Sequence, residues 1–242
     1  MKVLLTTLAI GDKYLDQYNK LFYESQHNYA LKHGYDFKVI TEYLDPNLKN
    51  YHTISFNKIL VCNEKWSKQY DFIIFIDADI LINKNAPPIH TYIDYGDCIG
   101  IIDEFSQPTT EKRIQLQKRM GWEKNASEYY KLCGFDINTS ISFNSGVLVL
   151  QPKLHNQLLV NIYNKHVLQS INHPRGLHFE QSAIGYEIQK ANAFKVLDNK
   201  FNAVWGIYKL DNPTTNLQEF FNNNYFIHFA GKLDYDKVPL LK

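Results

Sequence analysis

The chain carries the apolar run Phe72-Ile73-Ile74-Phe75-Ile76, followed directly by Asp77-Ala78-Asp79. Five consecutive apolar residues are typical of a strand that is buried on both faces, as in the centre of a parallel sheet. Open α/β sheets bind their ligands at the carboxyl ends of such strands. Two neighbouring carboxylates repel each other unless a cation lies between them. The stretch therefore predicts a divalent metal at the edge of a sheet, with a phosphate-bearing ligand on the metal.

The residues before this run alternate between strand and helix patterns. We expect a strand over residues 2–9, a helix over 14–33 that ends at Gly34, a strand over 35–40 and a helix over 55–68. This β-α-β-α-β order predicts an α/β fold with a parallel, doubly wound sheet.

The residues after the run predict further elements of the same kind. Residues 81–88 are expected to turn away from the site, and Pro87-Pro88 is expected to end any regular structure there. The patterns further along predict strands over 98–102, 142–150 and 225–229, strand-like segments over 194–197 and 201–207, and helices over 108–132, 154–168 and 179–190. No linker or repeat separates these elements, so we expect one domain over residues 1–242.

The composition restricts the function classes. The chain has 242 residues, of which 45% are hydrophobic, enough for a sizeable core. The 26 basic and 25 acidic side chains nearly cancel, which argues against nucleic acid as a partner. Three widely spaced cysteines predict neither a disulfide framework nor a zinc site and favour a reducing, cytoplasmic compartment. The apolar stretches are too short for a transmembrane segment.

Two other metal motifs share the Asp-x-Asp pattern. A calcium loop needs an oxygen ligand at its fifth position and glycine at its sixth, where this chain has Leu81 and Ile82, so that interpretation fails. Phosphatases of the haloacid dehalogenase type place the motif near the N-terminus and usually carry Thr or Val at the position of Leu81. They remain a minor alternative.

Polar residues at the ends of other predicted strands and helices are candidates for the same site. His228 ends the last strand, and a neutral imidazole can complete a metal shell begun by carboxylates. Gly231 and Lys232 follow it and suit a phosphate. Asn144 begins a strand and could bind sugar hydroxyls, although a turn is the simpler interpretation. Glu180 opens a helix, where the helix dipole alone favours an acid.

These segments together resemble the GT-A fold glycosyltransferases, and most of all glycosyltransferase family 8, the group of glycogenin and the bacterial lipopolysaccharide galactosyltransferases. Six blocks match that family in order: Thr7-Leu8 with Tyr14, Asp77-Ala78-Asp79, Asn144-Ser145-Gly146-Val147, Glu180-Gln181, Phe201-Asn202 and His228-Phe229-Ala230-Gly231. Lys58 lies where the family keeps a basic residue. Glu180-Gln181-Ser182-Ala183 is also similar to family 34, which shares the fold, the metal and the stereochemistry.

The resemblance implies a single GT-A domain with a mainly parallel central sheet flanked by helices. It implies transfer of a hexose or pentose from a UDP-sugar to a hydroxyl of a glycan, lipid-linked or protein acceptor, with retention of configuration. Residues 1–103 would form the nucleotide-binding half and 104–242 the donor and acceptor half, with the acceptor contacted from the loops 104–141 and 170–178.

The resemblance also assigns roles to residues. Asp77, Asp79 and His228 would ligate Mn²⁺ or Mg²⁺. Tyr14 would stack on uracil, and Leu8, Ala78, Gly231 and Lys232 would contact the nucleotide. Lys58, Asn144 and Asp103 would contact the donor sugar, although Asp103 could equally be a buried helix cap. Gln181 would lie near the anomeric carbon, and Glu180 is the local carboxylate that could act as a nucleophile.

The chain departs from the family pattern at several positions. Gly11 replaces the usual Asn, Glu180 replaces Asp, and the Lys-Pro-Trp that follows the final glycine is absent, so either Lys232 or Lys237 could meet the diphosphate. Two other function classes stay open. One is a non-catalytic nucleotide-sugar-binding module. The other is a sugar nucleotidyltransferase, although Gly11-Asp12-Lys13 does not resemble the phosphate loop of that class.

Overall fold

A computed structural model describes residues 1–94, 96–121, 124–172 and 179–241 of the protein. Nine strands lie within these ranges and form two sheets. The strands are β1 (Val3–Leu8), β2 (Asp36–Ile40), β3 (Phe72–Ile76), β4 (Ile80–Ile82), β5 (Ile99–Asp103), β6 (Phe143–Leu150), β7 (Phe194–Val196), β8 (Ala203–Val204) and β9 (Phe226–His228).

Helices and 3₁₀ segments connect the strands. The α-helices are α1 (Asp12–Leu21), α2 (Tyr23–His33), α3 (Thr110–Arg119), α4 (Ala126–Leu132), α5 (Pro152–His166), α6 (Phe179–Lys190), α7 (Trp205–Asp211) and α8 (Leu217–Asn223). The longer 3₁₀ segments are Tyr51–Asn63, Lys65–Gln69 and Tyr235–Leu240. None of the described helices is long and apolar enough to cross a membrane.

The larger sheet has the strand order β2-β1-β3-β6-β5-β7. β2, β1 and β3 are parallel, and β5 is parallel to β7, whereas β6 is antiparallel to both β3 and β5. The expected parallel sheet is therefore interrupted by one reversed strand, and the sheet is mainly parallel. Because β6 is reversed, its first residues lie at the same edge as the last residues of β3 and β5. Phe143 pairs with Asp103, and Val147 with Ile76.

β3 is buried on both faces, as its sequence predicts. Ile73 and Phe75 pack in one hydrophobic cluster, and Phe72, Ile74 and Ile76 pack in a second cluster on the opposite face. This alternation is the pleat of a strand covered on both sides. β3 is therefore a rigid central element, and the residues that follow it start from a fixed position.

A smaller sheet with the order β4-β9-β8 follows the two acids. Ile80–Ile82 forms β4, a strand that the sequence pattern did not predict. β4 pairs antiparallel with β9, and Ile80 lies opposite His228. This tertiary pairing decides the conformation, which no local pattern indicated.

Several predicted helices differ in detail. The helix expected over 14–33 is two helices, because the backbone of Phe22 leaves helical geometry at φ −123°. The helix expected over 55–68 lies in two 3₁₀ segments, Tyr51–Asn63 and Lys65–Gln69, in which Phe56, Ile59 and Val61 are fully buried. The segment expected as strand over 201–207 is the short β8 followed by α7. Residues 108–132 contain α3 and α4, and residues 122–123 lie outside the described part.

Candidate active site

Asp77, Asp79 and His228 converge at the edge of the two sheets. Asp77 directly follows β3, Asp79 directly precedes β4, and His228 ends β9. One potential ligand atom from each residue lies within 4.8 Å of the others. His228 Nε2 is 3.3 Å from an Asp79 oxygen and 4.0 Å from an Asp77 oxygen. Two carboxylates and an imidazole at this spacing could bind a divalent metal.

Backbone hydrogen bonds fix the positions of the two acids. The amide of Asp77 donates to the carbonyl of Gly146 at 2.7 Å, and the amide of Phe229 donates to the carbonyl of Asp79 at 3.0 Å. Gly146 also leaves room for the histidine, because a Cβ there would lie 2.7 Å from His228 Cε1. Any side chain at position 146 would therefore displace the imidazole.

A hydrogen-bond chain behind His228 sets its tautomer. The ring Nδ1 lies 2.9 Å from Asn202 Oδ1, and Asn202 Nδ2 donates to Asn144 Oδ1 at 2.7 Å. Because an amide oxygen only accepts, Nδ1 carries a proton and donates to Asn202, and Nε2 faces the two acids. Metal-binding histidines are oriented by partners of this kind. The residues present therefore fit a metal site.

Lys58 is a buried cation beside these acids. Its side chain is only 3% exposed, and its Nζ lies 2.9 Å from Asp77 Oδ1 and 3.6 Å from Glu180 Oε1. Burial alone lowers the pKa of the Lys58 ammonium, but the carboxylates of Asp77 and Glu180 outweigh it, so its pKa lies above the ordinary value. Burial raises the pKa of the Asp77 carboxyl in spite of Lys58. The structure thus places Lys58 and Glu180 beside the cluster of Asp77, Asp79 and His228.

Asn144 and Gln181 meet at a residue that the sequence patterns did not indicate. Glu104 Oε2 accepts from Asn144 Nδ2 at 2.8 Å and from Gln181 Nε2 at 3.1 Å. Its other oxygen forms an ion pair with Arg113. Asp103 turns to the backbone instead, since its Oδ1 accepts from the amides of Phe105 and Ser142. Glu104 directly follows β5, but Asp103 at the end of that strand is also acidic, so the sequence pattern did not single out Glu104.

The candidate nucleotide contacts lie around the same acids. Tyr14 is half-buried, and burial together with the charges of Asp79 and Asp77 raises the pKa of its phenol. Ala78 is buried between the two acids, and Leu8 is buried at the end of β1. Tyr235 was not anticipated. Burial and the nearby Asp79 carboxylate, which its hydroxyl contacts, raise the pKa of the Tyr235 phenol.

The two candidate phosphate lysines differ in their surroundings. Lys237 Nζ is 2.6 Å from Asp234 Oδ1, so its charge is already balanced. Lys232 is exposed, follows Gly231 with its φ of +77°, and forms no ion pair with the described residues. Of the two acceptor loops expected from the sequence, 104–141 contributes α3 and α4, whereas 173–178 lies outside the described residues.

Comparisons with known proteins agree with this architecture. The fold is similar to that of a glycosyltransferase involved in the glycosylation of the major capsid of PBCV-1, with a TM-score of 0.63, 16% identity and coverage of 98% of this chain and 97% of that one. The galactosyltransferase LgtC in complex with donor and acceptor sugar analogues gives a TM-score of 0.56 and 12% identity, covering 99% and 94%. The apo form of mouse xyloside xylosyltransferase 1 gives a TM-score of 0.51 and 15% identity, with coverage of 96% of this chain and 99% of that one.

The sequence comparisons bear on the family itself. A search of curated proteins found no match. The sequence model of glycosyl transferase family 8, however, matches residues 1–233, which is almost the whole chain. The resemblance seen in the six sequence blocks is thereby confirmed. The protein is a glycosyltransferase, and the chain belongs to glycosyl transferase family 8.

Proposed function

We propose that the protein transfers a hexose or pentose from a UDP-sugar to a hydroxyl acceptor, that it needs a divalent metal, and that it retains the anomeric configuration. The observation that carries the proposal is the convergence of Asp77, Asp79 and His228 within 4.8 Å. This cluster lies directly beside Lys58 and Glu180. Metal ligands next to hydrogen-bonding groups suit a diphosphate joined to a sugar.

The nucleotide would lie between the ends of β1 and β9. Tyr14 would stack on uracil, with the backbone of Leu8 and Ala78 beside the base and ribose. The diphosphate would extend toward Gly231 and Lys232. We favour Lys232 over Lys237 as the phosphate contact, because Asp234 already balances the charge of Lys237.

The metal would be held by Asp77, Asp79 and His228. When bound, a cation such as Mn²⁺ or Mg²⁺ would neutralise the negative charge that grows on UDP as the sugar leaves. Lys58 contributes a fixed positive charge from the protein side. Its buried ammonium stays protonated through the pH range in which enzymes work, because two carboxylates raise its pKa.

The donor sugar would lie over the amino end of β6 and α6. Asn144 and Glu180 would bind its hydroxyls, and Gln181 would lie near the anomeric carbon. Glu180 is the carboxylate that could act as a nucleophile. It is engaged by Ser145 Oγ at 3.2 Å and by Lys58, so we favour attack by the acceptor on the leaving-group side. Asp103 binds two backbone amides, which supports a cap rather than a donor contact.

A donor panel tests this proposal. The purified protein is incubated with UDP- and GDP-sugars and Mn²⁺, and nucleotide release is measured with and without EDTA. We expect slow UDP release from at least one UDP-sugar and its loss in EDTA. Full release in EDTA would exclude the metal role, and release only with added pyrophosphate would indicate a nucleotidyltransferase. NMR of the transfer product decides between a retained and an inverted anomeric centre.

A further inference from the structure

A pocket of about 210 Å³ opens between α3 and α7, beside the groups assigned to the donor. Glu104 and Arg113 form its polar end. The other side chains that line it are aliphatic: Leu116, Met120, Val204, Ile207, Leu210 and Ala230. None of the described residues that line it is aromatic. The pocket is therefore a small apolar space with one charged, hydrogen-bonding end.

The pocket adjoins the residues assigned to the donor sugar and those assigned to the diphosphate, which the proposed reaction separates. Its Glu104 carboxylate also accepts from Asn144 and Gln181, which are assigned to the donor sugar. Its Ala230 directly precedes Gly231 and Lys232, which are assigned to the diphosphate. An acceptor that attacks on the leaving-group side has to approach between these two sets of groups. The pocket lies where that approach begins.

Contacts between the two helices hold the walls of the pocket in place. Lys112 Nζ of α3 lies 2.7 Å from Asp211 Oδ2 of α7. Arg119 Nη2 of α3 donates to the carbonyl of Leu210 at 3.3 Å. The pocket is therefore formed before any ligand arrives, as most small-molecule sites are.

The lining restricts the chemistry of the ligand. The Arg113 guanidinium is balanced by Glu104, so the polar end has no surplus charge and suits an uncharged ligand. A sugar ring surrounded by aliphatic walls would leave its hydroxyls without partners, which costs free energy. An alkyl chain has no hydrogen bonds to lose in this space, and its removal from water is favourable. The space thus suits a hydroxyl group at one end and an alkyl chain along the walls.

We propose that this pocket is the acceptor subsite and that it takes a neutral amphiphile. The sugar hydroxyl lies at the end formed by Glu104 and Arg113, and an alkyl aglycone lies along α3 and α7. The inference rests on the proposed glycosyltransfer from a UDP-sugar and adds the class of the acceptor to it.

Methionine NMR tests the subsite directly, since the chain has only two methionines, Met1 and Met120. The protein is labelled with ¹³C at the methionine methyl groups, loaded with UDP and Mg²⁺, and titrated with octyl glucoside and octyl galactoside below their micelle concentrations. We expect a saturable shift of the Met120 signal and none of the exposed Met1 signal. The corresponding methyl glycosides should bind at least tenfold more weakly, about 1.4 kcal/mol.

Matched variants show whether the shift reports this pocket. Leu210 is 49% exposed, so Leu210→Glu should fold, and it should weaken octyl glycoside binding at least tenfold. Leu31 is 64% exposed and lies on α2, which lines no part of the pocket and packs against β4, at the other edge of the small sheet from β8; Leu31→Glu should therefore bind as the parent protein does.

Any one of three results would overturn the proposed subsite. They are a Met120 signal that does not shift, octyl and methyl glycosides that bind equally well, or Leu210→Glu and Leu31→Glu variants that bind octyl glycosides equally well. Calorimetry of UDP with Mg²⁺ on the same samples separates the two proposals. Absence of UDP binding refutes the proposed function, whereas normal UDP binding with an unmoved Met120 signal refutes the acceptor subsite alone.

Discussion

The cluster of Asp77, Asp79 and His228 and the pocket between α3 and α7 are held in place by different means. Asp77 and Asp79 are fixed by backbone hydrogen bonds that belong to the two sheets. The pocket is fixed by side chains, chiefly the ion pairs of Arg113 with Glu104 and of Lys112 with Asp211. Groups on strands keep their geometry when surface residues change, whereas a pocket between helices changes with each side chain. If the pocket binds the acceptor as proposed, the sheets position the reacting groups and the two helices set the acceptor selectivity.

The largest effect is expected on the stability of the protein when the ion pair in the pocket is broken. Glu104→Ala leaves the largely buried Arg113 without its counter-charge, which typically costs about 3–5 kcal/mol. Urea unfolding measures the loss. The double variant Glu104→Gln with Arg113→Met removes both charges and should recover most of the stability. If Glu104→Ala were as stable as the parent protein, the ion pair would not hold this wall.

The next largest effect is expected on the turnover rate when a ligand of the proposed metal site is removed. Asp79→Ala removes one of three converging ligand groups and should lower the rate of UDP release by about 100- to 1000-fold, the usual loss for a group that stabilises developing charge. Its far-UV circular dichroism should match that of the parent protein, because Asp79 joins the small sheet through its backbone carbonyl and not through its side chain. Asp94→Ala, an exposed carboxylate remote from the site, is the control. Near-normal turnover of Asp79→Ala would remove it from the metal site.

A smaller effect is expected from the residue behind the histidine. Asn202→Ala removes the acceptor that holds the Nδ1–H of His228, and losing such a partner lowers metal affinity about 10- to 100-fold. The Mn²⁺ concentration that gives half-maximal UDP release measures it. Asn161→Ala, on the exposed face of α5, should not change that concentration. If Asn202→Ala also leaves that Mn²⁺ concentration unchanged, the hydrogen bond from His228 to Asn202 does not contribute to metal binding.

The smallest effect is expected at the nucleotide. Tyr14→Ala should weaken UDP binding about tenfold, since base stacking on an aromatic ring contributes about 1–3 kcal/mol. Isothermal calorimetry with Mg²⁺ measures the affinity, and Tyr23→Ala, a tyrosine of α2 outside the site, is the control. If both variants bind UDP equally well, uracil does not stack on Tyr14.

The acidic side chains at the ends of apolar strands were the part of the site that the sequence predicted best. The five-residue apolar run fixed β3 and with it Asp77 and Asp79, because a doubly buried strand has a distinctive composition. The same reasoning reached β5 but stopped one residue early. Asp103 is itself acidic and ends the strand, so the pattern could not show that Glu104 is the carboxylate facing Asn144 and Gln181.

Features that depend on distant pairing were not predictable. The direction of β6 follows from its neighbours β3 and β5, and a long stretch of chain separates it from β5. The pairing of β4 with β9 joins the first half of the sequence to a segment near its C-terminus. Tyr235 lies in a 3₁₀ segment without a regular apolar pattern, so only its packing against Phe22 and Phe229 reveals its place.

The β4–β9 pair has a thermodynamic consequence. It places Asp79 and His228 together only in the folded chain, so a cation that binds both selects the native state. By mass action, the melting temperature should rise with the cation concentration once the cation exceeds its dissociation constant. The residues after β9 then become more protected from hydrogen exchange as the ion binds. A divalent cation bound at this pair would thereby stabilise the C-terminal segment that packs beside it as well as the site itself.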